Sequence, residues 1–475
     1  MRTSTAGSPR LLSPVTALPA AEVLRWTGFG GAVLLTGGAW AVTARAGAAG
    51  LAAAVAGAGL VVLAWALLGR AEPAAPWLRR TLAWWCAPLV VAPPLFSLDV
   101  FSYLAQGEVA ARGLDPNVVS PAAGASAEAV ARVSGYWRET ASPYGPLFGT
   151  VERGIAQVTG GDPVVGVALY RLAAVLGLLL VVWAVPRLAA RAGTSPRTAL
   201  WLGVLNPLVL WHLVGGVHND ALMLGLMLAG TVVALEALDD ARWWPFTAGI
   251  VLIALGAQVK LPALVALAVV GTALARRFGG GLARFTLSGV AMVAVAVLVS
   301  VVTSLAGRAG FGWLQALGTP SKVASWLAPS NWPGFLTGAV FGAESGRAMI
   351  SAGRVAGLVL ILCAIVVVLA RQLRGGVSEV MALGLMMGVI VVLGPVVQPW
   401  YLLWAVVPLA AAGVWRSQVA AVVAVFALLV PPLAGDFAGR VPELVLGYAA
   451  GLAVVACAFF FLRHVVLRRV SGARS

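Results

Sequence analysis

The chain has 475 residues, of which 61% are apolar and 10% charged. An ordinary soluble domain carries roughly 25% charged residues, so this composition leaves too little polar surface to cover a water-facing globule. The net charge of +15 does not point to nucleic acid, because the basic residues sit in short clusters between apolar runs and not in one stripe interleaved with aromatics.

Residues 1–25 are polar and Pro-rich, carry Arg2, Arg10 and Arg25, and read as a disordered cytoplasmic tail with no cleavable signal. Apolar spans follow at 28–44, 51–69, 81–97, 165–187, 198–214, 221–238, 243–259, 262–275, 285–305, 349–370, 377–394, 400–413, 417–434 and 444–463. Spans of about 20 apolar residues suit the bilayer. The expectation is an all-α polytopic membrane protein with about 12–14 transmembrane helices in one domain over 26–465, and a basic cytoplasmic tail over 466–475. The three cysteines (Cys86, Cys363, Cys457) lie far apart inside apolar runs and read as small core residues.

Orientation follows from the arginines. With the N-terminus inside, the inner segments hold Arg70, Arg79, Arg80, Arg187, Arg191, Arg197, Arg276, Arg277, Arg284, Arg371, Arg374 and Arg416, and about 20 of the 32 basic residues in all. The outer face then receives a first large loop (98–164), the run 215–220, Lys260, a second loop (306–348) and the run 398–401. Polar and aromatic groups gathered at one depth of a membrane protein are a functional-site hypothesis by default. No internal repeat is evident, which speaks against an inverted-repeat transporter.

Asp99 directly follows a span that ends in Pro93-Pro94, and Tyr103 and Gln106 share its helical face at i+4 and i+7. It reads either as the N-cap of a helix along the membrane surface or as a general base toward a hydroxyl. Glu108 is a second candidate, with Arg112 at i+4 placed for an ordinary helix-surface pair. Asp115-Pro116-Asn117 is a turn signal, and Ser142-Pro143-Tyr144-Gly145-Pro146-Leu147 a rigid turn.

His218-Asn219-Asp220 opens the span at 221, where Asn219 or Asp220 suits a cap. Helix N-termini also attract phosphate, to which His218 would donate. Lys260 lies between two apolar runs, either snorkelling to the interface or touching a phosphate. Arg171 and Arg354 are weaker versions of the same case, and Lys322 adds an outer cation. Gln398-Pro399-Trp400-Tyr401 belongs to the interfacial aromatic belt or stacks on a sugar ring. His-Asn-Asp lacks the i, i+4 spacing of helical metal ligands. No cofactor is expected, although assistance by a divalent cation stays open. No nucleotide-binding Gly-rich loop is present.

Taken in order, Ser-Leu-Asp-Val-Phe-Ser-Tyr-Leu-Ala-Gln-Gly from Ser97, Gly-Leu-Asp-Pro-Asn from Gly113, Ser-Pro-Tyr-Gly-Pro-Leu from Ser142, Asn206-Pro207-Leu208, His218-Asn219-Asp220, Val259-Lys260 and Gln398-Pro399-Trp400-Tyr401 form a set. It resembles the actinobacterial polyprenol-phosphate-mannose-dependent α-1,6-mannosyltransferases over about residues 90–405. The resemblance implies a GT-C membrane glycosyltransferase in the plasma membrane, with both termini cytoplasmic and the site facing the extracytoplasmic side. It implies a polyprenyl-phosphate-mannose donor, a lipid-linked mannan acceptor and inversion, with Asp99 as the catalytic base. Substrate contacts are expected from Tyr103, Gln106, Tyr144, Arg171, His218, Asn219, Asp220, Lys260, Lys322, Gln398, Trp400 and Tyr401. Two departures stand out: Asp99 has Leu98 and Val100 as neighbours where many GT-C enzymes carry paired acids, and Phe101 replaces an expected tyrosine. The alternatives are a GT-C transferase for another prenyl-linked sugar such as arabinofuranose, and a lipid or sugar transporter.

Overall fold

The computed structural model describes residues 14–471 except 309, 317, 319–323 and 434–438, with side chains described between 20 and 463. Lys322 and residues 1–13 therefore lie outside the described residues. The described elements are all helical. In chain order they are α1 Pro14–Thr43, α2 Gly47–Ala71, α3 Ala75–Val90, α4 Asp99–Ala111, α5 Pro121–Gly124, α6 Ala127–Arg132, α7 Gly135–Arg138, α8 Pro146–Thr159 and α9 Pro163–Arg191. Next comes α10, Pro196–Val204, which continues across a 61° break into Val209–Gly215. Then follow α11 Asp220–Asp239, α12 Trp243–Ala257, α13 Leu264–Arg277, α14 Leu282–Ala306, α15 Trp313–Ala316, α16 Trp332–Phe341, α17 Ala343–Leu373, α18 Glu379–Leu393, α19 Leu402–Ala412, α20 Arg416–Leu429 and α21 Val441–Ser471.

Every apolar run expected to span overlaps one of these helices or the bent pair. By length and apolarity, α2, α9, α11, α14, α17 and α21 suffice to cross a bilayer singly, and the bent pair supplies a seventh candidate. The run 81–97 does not stay helical: α3 stops at Val90, because Pro93 and Pro94 bring no N–H donors. Phe96 then turns the chain with a left-handed φ of 63°.

The chain forms two compact units, Met1–Val91 with Gly435–Ser475, and Ala92–Ala434. In the first, α1 and α2 approach through glycines. A Cβ on Gly57 would sit 2.4 Å from the Gly31 carbonyl oxygen, the small-residue contact that lets membrane helices pack closely. Residues 14–25, expected in an unstructured tail, are the opening turns of α1. Arg25 explains their order: it is buried, pairs with Glu22 at 2.9 Å and donates to Thr81 Oγ1 at 3.0 Å.

In the second unit α11 is the most enclosed long helix, with 78% of its apolar window buried. It packs on α9, where Gly177 and Gly225 face each other too closely for any side chain. The helix break before it is stabilised by Asn206, which donates to Leu202 O at 2.9 Å and accepts from the Val209 N–H at 3.1 Å. Asn206-Pro207 thus satisfies backbone groups that the break would orphan. The break directs Gly215–Asp220 toward α4 and α19.

Candidate functional site

Asp99 begins α4, but it does not cap it. The N-cap is Leu98, without a side-chain capping bond, and the Asp99 N–H donates to Ser97 Oγ at 3.1 Å. The carboxylate is thereby left free of the capping role that the sequence permits. Burial raises its pKa to about 6, with Lys260 and Ser97 pulling it back down and Asp220 adding to the rise. His218 Nδ1 stands 3.7 Å from Asp99 Oδ2. That is too long for a hydrogen bond, and the imidazole is fully enclosed. Burial first, then His212 and Lys260, hold the His218 pKa well below its ordinary value. The ring stacks on that of Trp400 at 3.8 Å between centroids.

The two loop motifs after Asp99 form one clasp. The Asn117 N–H closes an Asx turn on Asp115 Oδ1 at 2.9 Å. Its side-chain amide donates to the carbonyls of Ser142 and Tyr144, both at 2.8 Å, and the Ser142 N–H donates to Pro116 O at 2.7 Å. Gly145 then lies against the Gln258 carbonyl, 2.5 Å from where a Cβ would be, so no larger residue fits. Pro146 opens α8 at a position where a missing N–H costs nothing. The clasp fixes Tyr144, which packs edge-on to Tyr103 and Phe148 at 5.4 and 5.2 Å.

Lys260 and Asp220 form the charged centre. Lys260 Nζ donates to Asp220 Oδ2 at 2.8 Å, and Trp404 Nε1 donates to Asp220 Oδ1 at 2.6 Å. Asp220 is fully buried, a state that a carboxylate sustains only when paired and hydrogen-bonded. It is the first residue of α11, and the Asn219 cap position lacks a side-chain capping bond. The capping role expected of Asn219 or Asp220 is thus replaced by the Lys260 pair. Burial works against the Lys260 charge, but Asp220, Tyr401 and Asp99 outweigh it and its pKa rises. The ammonium also lies over the rings of Tyr401 (4.7 Å) and Trp404 (5.5 Å).

Beside this charged centre lies a cavity of about 230 Å³. Asp99, Tyr144, Lys260, Gln398, Trp400 and Tyr401 line it, joined by Trp137, Trp404 and the 394–396 backbone. That backbone is tied down by Ser330, which donates to Gly394 O at 2.9 Å, and by Asn331, which donates to Pro395 O at 3.0 Å. Trp137 and Trp404 escaped the sequence reading. Trp404 carries a signal, since it stands at i+4 from Trp400; Trp137 carries none.

The remaining expected residues sit elsewhere. Tyr103, Gln106, His218, Asn219 and Asp220 are buried and do not line the cavity. Arg171 directs its guanidinium to the carbonyls of Val214 (3.2 Å) and Gly215 (3.4 Å), at the end of the bent helix pair. Arg354 donates to Asn331 Oδ1 at 3.1 Å. Glu108 pairs with Arg112, as its spacing suggests, and accepts from the Ser126 N–H and hydroxyl at 3.1 and 2.9 Å. Among the described residues, no group of three or more His, Cys, Asp or Glu is arranged to hold a metal.

Residues 22–276 match the family described as alpha-(1->6)-mannopyranosyltransferase, N-terminal domain, and residues 333–460 match the MptB C-terminal domain. Among curated proteins, a probable alpha-(1->6)-mannopyranosyltransferase of Mycolicibacterium smegmatis is 43% identical over 394 residues, covering 76% of this chain and 70% of the relative. An alpha-(1->6)-mannopyranosyltransferase of Mycobacterium tuberculosis is 39% identical, with 76% and 70% covered. Alpha-(1->6)-mannopyranosyltransferase B of Corynebacterium glutamicum is 34% identical, with 76% and 65% covered.

Proposed function

Because this chain belongs to the alpha-(1->6)-mannopyranosyltransferase family and is a membrane mannosyltransferase, we propose that it moves mannose from polyprenyl-phosphate-mannose onto the 6-hydroxyl of a lipid-linked mannan, with inversion. The observation that carries this reading is that Asp99 and Lys260 line one aromatic-walled cavity. The acceptor oxygen attacks the anomeric carbon in line. The bond from that carbon to the phosphate oxygen breaks, and its electron pair leaves with polyprenyl phosphate. Asp99 takes the hydroxyl proton, and Lys260 stabilises the departing phosphate with the N–H donors that it does not give to Asp220.

Trp400, Tyr401, Tyr144 and Trp137 offer ring faces to the sugars. An apolar groove of about 390 Å³ begins at Leu261, beside Lys260, and runs between α13 and α14 past Met292 to Phe285. Its lining suits an isoprenoid chain and supports a lipid-carried donor over a nucleotide sugar. The distribution of arginines supports a cavity facing the extracytoplasmic side, with both termini in the cytoplasm.

The test is transfer from polyprenyl-phosphate-mannose by membranes carrying the wild type or Asp99→Asn, with a prenyl-phosphate arabinofuranose as competing donor. Loss of a general base lowers the rate by about 10²–10⁴-fold. A correctly inserted Asp99→Asn enzyme at the wild-type rate removes Asp99 as the base, and preferred use of the arabinose donor replaces mannose as the sugar.

A further inference from the structure

A second cavity, of about 350 Å³, lies against the other face of the helix that carries Asp99. Around α4, Asp99 and Tyr103 mark one side. Phe101, Leu104, Glu108, Ala111 and Arg112 lie on the opposite side and line the second cavity with α6, the end of α8 and the start of α9. With its side chains a helix is about 10–12 Å across, so one element separates the two spaces. The chain also runs from one to the other. Ser126, Glu128 and Arg132 line the second cavity, and Trp137, a few residues on, lines the first.

The chemistry of the second cavity selects a ligand class. Its charged lining is Glu108 with Arg112 and Glu128 with Arg132, each joined at i, i+4. The four charges cancel, so the space attracts no ion of either sign and offers acceptors and donors side by side. A hydroxyl both donates and accepts, and a neutral, hydroxyl-rich ligand uses both. Phe101 supplies an apolar face of the kind that a sugar ring covers with its C–H groups. Gly160 and Gly161, at φ 60° and 91°, form a rim with nothing within 4 Å of either Cβ position, leaving room for a ring to enter. Folding does not explain the arrangement, because surface ion pairs of this exposure stabilise little. Glu108 is instead held in place by both Ser126 bonds, which point its carboxylate along the cavity wall.

We infer that this cavity is a distal subsite for the acceptor, binding mannose residues behind the one that reacts at Asp99. The inference rests on the proposed acceptor being a mannan. A chain held at two places is presented to Asp99 with less freedom to lose, so longer acceptors gain over short ones.

The experiment uses the full-length protein in lipid nanodiscs. It compares kcat/KM for a monomannoside and an α-1,6-linked tetramannoside acceptor, in wild type, Glu128→Ala/Arg132→Ala and Ala111→Trp, with thermal unfolding confirming that each is folded. Ala111 is exposed, so the indole fills the cavity from its open side. The expected result is a preference for the tetramannoside in the wild type that falls at least fivefold in both variants. Saturation-transfer NMR with free tetramannoside should lose its contacts to the protein in parallel.

An unchanged acceptor preference overturns the distal subsite. So does an activity loss that appears only with zwitterionic lipid in the nanodisc and leaves tetramannoside binding intact, since a headgroup then occupies the cavity. If the wild type transfers mannose to neither acceptor, the failure belongs to the proposed reaction, and tetramannoside binding alone then decides the subsite.

Discussion

Asp99 shows how one residue can be found in a sequence and its role left divided. At a helix start, a carboxylate caps or catalyses, and the letters Ser-Leu-Asp-Val fit both. The structure removes the capping role, since Ser97 bonds the Asp99 N–H and no capping bond uses the carboxylate; the role of base is the one proposed above. Its pKa of about 6 yields a prediction with a definite sign. A general base acts only when deprotonated, so kcat/KM should fall about tenfold per unit as pH drops below about 6. Above it the profile should be flat until another group titrates. A pH–rate series on solubilised enzyme checks this. An acid limb centred near pH 4, the ordinary carboxylate range, would mean that the rate-determining carboxylate is a solvated one and not Asp99. Arg171 and His218 mark the opposite case. Each has the residue type expected at a phosphate site, yet the partners that occupy it, the carbonyls of Val214 and Gly215 and the ring of Trp400, lie far away in sequence.

At the scale of elements, the apolar runs were legible because periodicity and length report burial directly. The connections were not. Asp115-Pro116-Asn117 and Ser142–Pro146 each read as a local turn, and nothing within either motif reveals that Asn117 reaches across 25 and 27 residues to hold the other. The clasp gives an expected outcome for Asn117→Ala. Two buried carbonyls lose their donor, at about 1–3 kcal/mol for each group left unsatisfied, and the Tyr144 turn loosens. Thermal unfolding should shift down, and KM should rise more than kcat falls, because Tyr144 walls the cavity and does not move the proton. An equal fall in kcat with KM unchanged would show instead that the clasp serves the chemical step. Asn117→Ser, which keeps a donor but shortens its reach, should lie between the two.

At the scale of the whole molecule the charge distribution carries information that no single site holds. Arginines recur at one end of successive spans, while Asp99, Lys260 and Gln398 fall at the other, and a single alternation satisfies both patterns. The proposed orientation rests on insertion: Lys and Arg near span ends resist translocation, which would leave these arginines in the cytoplasm and the Asp99 cavity on the far side. This makes orientation testable without measuring activity. In a chain carrying Cys86→Ala, Cys363→Ala and Cys457→Ala, single cysteines are placed at Val118, exposed in the first large loop, and at Gly375, in the turn after α17. A membrane-impermeant maleimide applied to intact cells should label the Val118→Cys protein, and the Gly375→Cys protein only after permeabilisation. The reverse pattern would turn the cavity toward the cytoplasm. It would then remove the proposed extracytoplasmic acceptor while leaving the cavity that Asp99 and Lys260 line unaffected.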